Sequence, residues 1–265
     1  MPYANPASYD EFMGRWSRLL APRFVEFVGL AGPKRVLDVG CGTGILTRAL
    51  LDAAPEFAIV GVDPTPSYLE YARQSVVSVR VHFEAGSADG LPFTDQSFDA
   101  TVSLLVLQEF RDAQKAIREM ARVTRQGCTI ATCKWDFRHG MPMLSLYSQA
   151  AEAVAPEAVA RRRAEIQAKP AYDSIEKIAA LWEACRLADI RKAVLEVSLG
   201  FVSFDDLWRP FLGGSTGEAA FARELNDRTG GALEKQLREI VEAEYGSAGF
   251  VLTSRAWAVA GTVVG

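Results

Sequence analysis

Two carboxylates and three glycines are the residues of this chain whose types and spacing point to chemistry. Asp38 is followed by glycine at alternate positions, Gly40, Gly42 and Gly44, and Asp63 comes nineteen residues after the last of them. Val36-Leu37-Asp38-Val39 reads as a short strand, and Ile45-Leu46-Thr47-Arg48-Ala49-Leu50-Leu51 takes up helical spacing directly after the glycines. A strand, a glycine loop and a helix in that order make a nucleotide site. The chain must turn tightly there and let a ligand lie against bare peptide, in space that a side chain would fill.

The residues around the loop narrow the ligand. A dinucleotide fingerprint needs a third glycine at position 45, which is Ile45, and this argues against a nicotinamide-dependent oxidoreductase. A phosphate-cradling loop needs a Gly-Lys-Ser/Thr end, and no lysine occurs between Lys34 and Lys115. A ligand without phosphates is expected. Ile59-Val60-Gly61-Val62-Asp63 is a second apolar strand ending in an acid to which two ribose hydroxyls can donate, as a nucleoside requires.

At these residues the chain resembles the class I S-adenosylmethionine-dependent methyltransferases, in particular small-molecule enzymes of the ubiquinone-biosynthesis type. The first motif of that family looks like Val36 to Gly44, and its second ends in an acid placed like Asp63. The resemblance implies an α/β fold: a Rossmann-like, seven-stranded, mostly parallel sheet with flanking helices and a helical cap insertion. It implies S-adenosyl-L-methionine as cofactor, held by Asp38, Gly40, Cys41, Gly42, Gly44, Asp63, Pro64 and Tyr68. The Gly86-Ser87-Ala88-Asp89 segment resembles the one that meets adenine, with Ser87 where the family has an acid, so Ser87 and Ala88 join the set and Asp89 is the alternative acceptor. Leu104, at the end of the fourth strand, completes it. A cofactor-binding protein without catalysis is the other reading, because Ser87 and Gln126-Gly127-Cys128 depart from the family pattern.

The acceptor side is less marked. Ser103-Leu104-Leu105-Val106 lacks the Asp/Asn-Pro-Pro-aromatic grip of enzymes that methylate base amines, so a small, partly apolar acceptor is expected, methylated at O, N or C. Gln108 is a polar candidate for orienting it. Asp136 and His139 follow the fifth strand and are candidates for removing a proton from a hydroxyl acceptor. In related enzymes the segment before the first motif closes over the cofactor. This suggests Tyr9 or Arg15 for the methionine end and Trp16 beside the methyl, with plain packing as the alternative. Trp135, Trp208 and Phe211 are candidate pocket walls, with plain cap core as the favoured alternative for the last two.

The rest of the chain positions these groups. Arg18 to Gly29, Tyr68 to Arg73, with Ser67 as cap, and Ala113 to Thr124, stopped by Gly127, read as helices. Val79 to Glu84, Phe98 to Leu107 and Thr129 to Trp135 read as strands, with His82 on the surface. Met141 to about Leu187 reads as helical, with Arg161 to Glu165 a solvated face and Ser174 capping a last helix. A strand at Val194 to Leu199, helices at Phe204 to Leu212 before Gly213-Gly214, Glu218 to Asn226 and Ala232 to Tyr245, and a closing strand from Phe250 to Val264 follow. The expected divisions are a core with N-terminal lid at 1–140, a cap at 141–190, and completion of the sheet at 191–265.

Composition sets the outer bounds. With 265 residues, 49% of them hydrophobic, the chain can bury a sizeable core. Twenty-nine basic and thirty-three acidic residues leave a formal charge of −4, which gives no global reason to expect nucleic acid or an anionic membrane. The first residues carry no leader pattern and no apolar run is long enough to span a bilayer, so a cytoplasmic protein, monomer or homodimer, is expected. Four cysteines without C-x-x-C spacing and two histidines point to no metal site.

Overall fold

The computed structural model describes residues 5–32, 34–167, 172–213 and 217–265. Residues 1–4, residues 168–171 of the expected helical run, Gly214 and the side chain of Glu165 lie outside the described residues.

Seven strands form one sheet: β1 (Arg35–Val39), β2 (Ala58–Asp63), β3 (Val81–Ala85), β4 (Phe98–Leu104), β5 (Thr124–Trp135), β6 (Ala188–Phe201) and β7 (Phe250–Thr262). Their order is β3-β2-β1-β4-β5-β7-β6. The pairs β2·β3, β1·β2, β1·β4 and β4·β5 are parallel, and β7 runs antiparallel to β5, with Trp135 opposite Ala256. This is the Rossmann-like methyltransferase arrangement. The chain reverses outward from β1 in both directions, so the ends of β1 and β4 flank the switch point where ligands of such sheets sit.

The chain divides into two compact units. One comprises residues 17–135, 172–195 and 256–265. It contains the parallel strands and α2 (Arg15–Val28, entering at Ser17), α3 (Ile45–Ala53), α4 (Pro66–Ser75), α5 (Ala113–Val123) and α8 (Ile175–Ala184). Leu37, Val39, Phe98, Ile117, Met120 and Ile130 are at its centre and are almost completely excluded from water. Strands buried on both faces read as continuous apolar runs, which is why β1, β2 and β4 stand out in the sequence. The other unit comprises residues 1–16, 136–171 and 196–255. In it α6 (Pro142–Val154) packs on α11 (Ala232–Tyr245), and α9 (Phe204–Gly213) packs on α10 (Gly217–Arg228); α7 (Pro156–Gln167) follows α6.

Several boundaries differ from the sequence reading. Thr65, not Ser67, is the N-cap of α4; Ser67 is already its second residue, because Pro66 takes the first helical position. Gly127 does not stop α5. The helix ends at Val123, Thr124 starts β5 directly, and Gly127 (φ 73°) lies in a bulge where β5 runs three residues ahead of β4 between the Phe98–Thr124 and Ala100–Thr129 pairs. The N-terminal helix begins earlier than expected, as α1 (Pro6–Tyr9) and a π-helical turn at Asp10–Gly14 running into α2. The widened turn buries Gly14 and accounts for a glycine in an otherwise helical stretch. The run from Met141 is broken at Ala155, where Pro156 opens α7.

Candidate functional site

The site is built where β1 and β2 end. Past Val39 the loop Gly40-Cys41-Gly42-Thr43-Gly44 is tied to β2, because the N–H groups of Gly40 and Cys41 both donate to the Val62 carbonyl, at 2.7 and 3.0 Å. Gly40 has φ +71°, and a Cβ there would stand 2.8 Å from Val106 Cγ2, so the loop closes against the exit of β4 only with glycine. Gly44 (φ +83°) starts α3 in the left-handed region, where a Cβ would meet Val76 at 3.0 Å.

Asp63 sits at the tip of β2, 8% exposed. Its Oδ2 accepts the Gly42 N–H at 3.1 Å and its Oδ1 accepts the Thr65 N–H at 2.8 Å. The Thr65 side chain also hydrogen-bonds this carboxylate, which holds it fixed with acceptor capacity left for a further donor. Burial raises its pKa, with the Thr65 and Gly42 N–H groups and the Thr65 side chain opposing.

Asp38 is the more unusual group. It is 1% exposed; its Oδ2 accepts the Thr47 hydroxyl at 2.7 Å, and its Oδ1 is sealed from water without a partner among the described residues. Burial pushes its pKa up to about 7; the Thr47 hydrogen bond opposes this and the nearby Asp63 charge adds to it. A buried carboxylate that lacks a donor costs free energy until a positive or hydrogen-bearing group reaches it. Two such acids beside the glycine loop repel phosphate and favour a ligand with paired hydroxyls and a cationic end. Cys41 lies between them, its thiol pushed well up by burial and by both carboxylates, and so packs as a neutral side chain.

The neighbouring strand ends add smaller pieces. Tyr68 is buried at the start of α4, its Cδ1 3.6 Å from where a Gly42 Cβ would be, and Pro64 bridges Asp63 to that helix. Beyond β3, Ser87 is exposed in a tight turn closed by Gly90 N–H donating to Ser87 O at 3.1 Å, while Ala88 is buried. The Ser87 hydroxyl accepts the Asp89 N–H at 3.4 Å, and Asp89 Oδ1 is enclosed without a partner among the described residues. Leu104 ends β4, and Leu105 takes the left-handed φ of +63°, a strained conformation for a branched side chain. Gln108 Nε2 donates to Leu105 O at 2.7 Å and steadies that turn, leaving Oε1 buried without a partner among the described residues. Trp135 is buried at the end of β5, and its Nε1 has no partner among the described residues.

The remaining sequence candidates belong to the other unit and have defined partners there. Arg15 forks onto Asp206, Nη1 to Oδ1 at 2.9 Å and Nη2 to Oδ2 at 3.2 Å, and lies over the Phe201 ring at 5.1 Å. Trp16 is fully buried, 6.2 Å from Phe201, and Tyr9 is half-buried at the end of α1. Asp136 Oδ1 accepts the N–H groups of Arg138 and His139, and its Oδ2 pairs with Arg255 at 3.1 Å. That carboxylate fastens a turn, and His139 is exposed on it. Trp208 and Phe211 are buried in one aromatic cluster.

Sequence reasoning missed Thr47, Thr65 and Val106, which orient Asp38, hold Asp63 and close on Gly40. Only Thr47 left a trace, as a hydroxyl in the first turn of the helix opened by the loop.

Residues 36–127 match a family model described as a methyltransferase domain. The chain is 39% identical over 120 residues to a demethylmenaquinone methyltransferase of Roseiflexus castenholzii, covering 44% of this chain and 50% of that protein. It is 40% identical over 97 residues to the enzyme of the same name from Deinococcus radiodurans, covering 36% and 40%. The chain thus spans about half the length of the curated relatives it matches. In fold it is similar to a solved putative methyltransferase from Bacillus halodurans (TM-score 0.59, 16% identity, 92% of this chain and 99% of that one). The segment from Val36 to Gly127 is therefore similar to a methyltransferase domain, and its glycine loop and two acids agree with the class I, S-adenosylmethionine-dependent type.

Proposed function

We propose that this chain is an S-adenosylmethionine-dependent methyltransferase acting on a small, partly apolar molecule. The observation that carries the reading is the pair of buried acids at the glycine loop, Asp63 fixed by the Gly42 and Thr65 donors and Asp38 with an oxygen that has no partner among the described residues. S-adenosylmethionine fits both, having two adjacent ribose hydroxyls to donate and a positively charged methionine end. When bound, it supplies a methyl on a sulfonium, open to displacement by an acceptor lone pair.

The chain's own residues bind and align. Asp63 fixes the ribose, Asp38 compensates positive charge, and the backbone of Gly40 to Gly44 gives close approach. Ala88 packs at the adenine end, with the exposed Ser87 hydroxyl as acceptor and Asp89 as the alternative. Alignment of two reactants in a dry site supplies most of such a rate enhancement, and no covalent intermediate is needed. Both Asp136 oxygens are engaged by Arg255 and two backbone N–H groups, so positioning, not base catalysis by Asp136, is the mechanism proposed here. Two relatives are named for demethylmenaquinone, which makes a fused-ring hydroquinone the first acceptor to try. Among the described residues no helix is long and apolar enough to cross a membrane. The −4 charge gives no global reason to expect a nucleic acid, and a small acceptor handled in the cytoplasm is consistent with both observations.

Titration of S-adenosylmethionine and S-adenosylhomocysteine by calorimetry tests the reading. Micromolar binding by the wild type, weakened at least a hundredfold in Asp63→Ala, supports it, since two hydrogen bonds to a charged acceptor contribute about 3–6 kcal/mol. Absence of binding to the wild type overturns it.

A further inference from the structure

Glu119 and Arg122, one turn apart on α5, grip a segment of irregular backbone that follows β3. Every N–H of the Arg122 guanidinium is engaged. Nε donates to Glu119 Oε1 at 2.8 Å, Nη2 to Glu119 Oε2 at 2.8 Å and to the Leu91 carbonyl at 3.1 Å, and Nη1 to the Phe93 carbonyl at 2.8 Å and to Asp95 Oδ1 at 2.7 Å. Glu119 Oε2 also accepts the Leu91 N–H at 2.9 Å. Leu91 is thus held at its N–H by one side chain and at its carbonyl by the other. Their mutual hydrogen bonds are the main reason that Glu119 is held low and Arg122 high in pKa, so both are charged at neutral pH. A half-exposed ion pair by itself adds little to stability, but a planar fork that also takes up backbone groups of a loop fixes the path of that loop.

The segment they grip closes the turn at residues 86–92, beside the glycine-loop site. At the near end the Gly86 N–H donates to the Asp63 carbonyl at 3.2 Å, and a Cβ on Gly86 would stand 2.8 Å from both Pro92 Cδ and Val62 Cγ2, so the two ends of the turn meet against β2. Between them Ser87 and Gly90 bridge, the Gly90 N–H donating to Ser87 O at 3.1 Å. One end of the turn is therefore anchored on the residue that carries the ribose-binding carboxylate, and the other, through Leu91, on Glu119 and Arg122. We propose that Glu119 and Arg122 are positioning residues for the cofactor, which touch no ligand but hold the turn Ser87–Gly90 where it meets the base of the nucleoside whose ribose Asp63 takes. A turn already held in its binding geometry need not be ordered when the ligand arrives, whereas a loose one lowers affinity by the cost of ordering it. Lysine at position 122 keeps the charge but not the fork, because a compact ammonium on a flexible stem cannot reach a carboxylate and two carbonyls in fixed directions at once. The role rests on the proposed function for the identity of the ligand and goes beyond it in assigning part of the ligand's recognition to a pair on α5.

Hydrogen exchange and a pair of nucleoside probes test the role in the full chain. In the ligand-free protein, Arg122→Lys and Glu119→Leu should each speed amide exchange at residues 86–93 at least tenfold and leave β1, β2 and α3 unchanged. The probes are S-adenosylhomocysteine and S-inosylhomocysteine, which differ in the base alone, titrated by calorimetry. Wild type should prefer the adenosyl compound at least tenfold, and in both variants the preference should fall to threefold or less, because the turn reads the base while Asp63 still takes the ribose. A purely structural pair would lower both affinities by one factor and keep the preference. A preference retained in both variants, no preference in the wild type, unchanged exchange at residues 86–93, or a rise spread evenly over the chain overturns the positioning role. Wild type that binds S-adenosylhomocysteine while the variants keep its preference leaves the methyltransferase reading intact and removes this one. Faster exchange of the turn in the variants, with no binding of S-adenosylhomocysteine by the wild type, removes the methyltransferase reading and with it the cofactor role assigned to the pair.

Discussion

Asp38→Asn separates what the buried acid does for binding from what it does to stability. In the ligand-free protein Asp38 is raised from 3.8 to about 7, chiefly by burial. That difference corresponds to about 4 kcal/mol favouring the protonated native form. A native pKa above the unfolded one means that the native state holds the extra proton. The stabilisation is therefore complete below about pH 4 and is lost as pH rises through about 7. Roughly 2–3 kcal/mol of the loss falls between pH 5 and pH 8 by the linkage relation. In the asparagine variant the amide oxygen still accepts from Thr47, and an uncharged NH2 replaces the titrating oxygen. The variant should be no more stable than wild type at pH 5 but should gain on it by roughly 5–10 °C in thermal midpoint by pH 8. Asp63, raised by its own burial, leaves a smaller slope of the same sign. Differential scanning calorimetry of both proteins across that range is the assay. Parallel profiles for the two would show that Asp38 does not titrate in this window, and the account of it as an uncompensated buried acid would fall. The same reasoning makes cofactor binding release a proton near pH 6.5, visible as a binding enthalpy that depends on the ionisation heat of the buffer.

Two further substitutions test the scaffold. Gly40→Ala should cost about 2–4 kcal/mol in urea unfolding, from left-handed backbone and the overlap with Val106. Adding Val106→Ala should recover the overlap but not the backbone part, and full recovery would refute the conformational argument. Arg15→Met should cost about 1–2 kcal/mol at pH 7, because it removes the fork on partly buried Asp206. Asp206 is held low although burial pulls it up, Arg15 and the Val202 N–H outweighing burial. The cost should therefore shrink as pH falls through the carboxylate range, and a cost independent of pH would point to packing of the Arg15 stem over Phe201 instead.

The glycine loop was legible in the sequence because its demands are local. A tight turn and close backbone approach admit few residue types, and a strand buried on both faces must be apolar throughout, so Val36 to Gly44 and Ile59 to Asp63 declare themselves in any order of reading. Helices with caps or amphipathic faces, such as Ser174 before α8 and the exact span Ala232–Tyr245 of α11, were equally plain. Tertiary structure decided which polar atoms remain free. Arg15 and Asp136 are charged groups of the expected types near expected places, but each is matched by a partner more than a hundred residues away, Asp206 and Arg255, and no local pattern encodes that pairing. The bulge at Gly127 and the left-handed Leu105 arise the same way, from fitting β5 and the exit of β4 to neighbours distant in sequence. Sequence determined the type of ligand the loop can take, since backbone geometry and charge are written residue by residue. Only the fold determined that Asp38 Oδ1 is left without a partner among the described residues, because hydrogen-bond satisfaction is a property of the assembled interior.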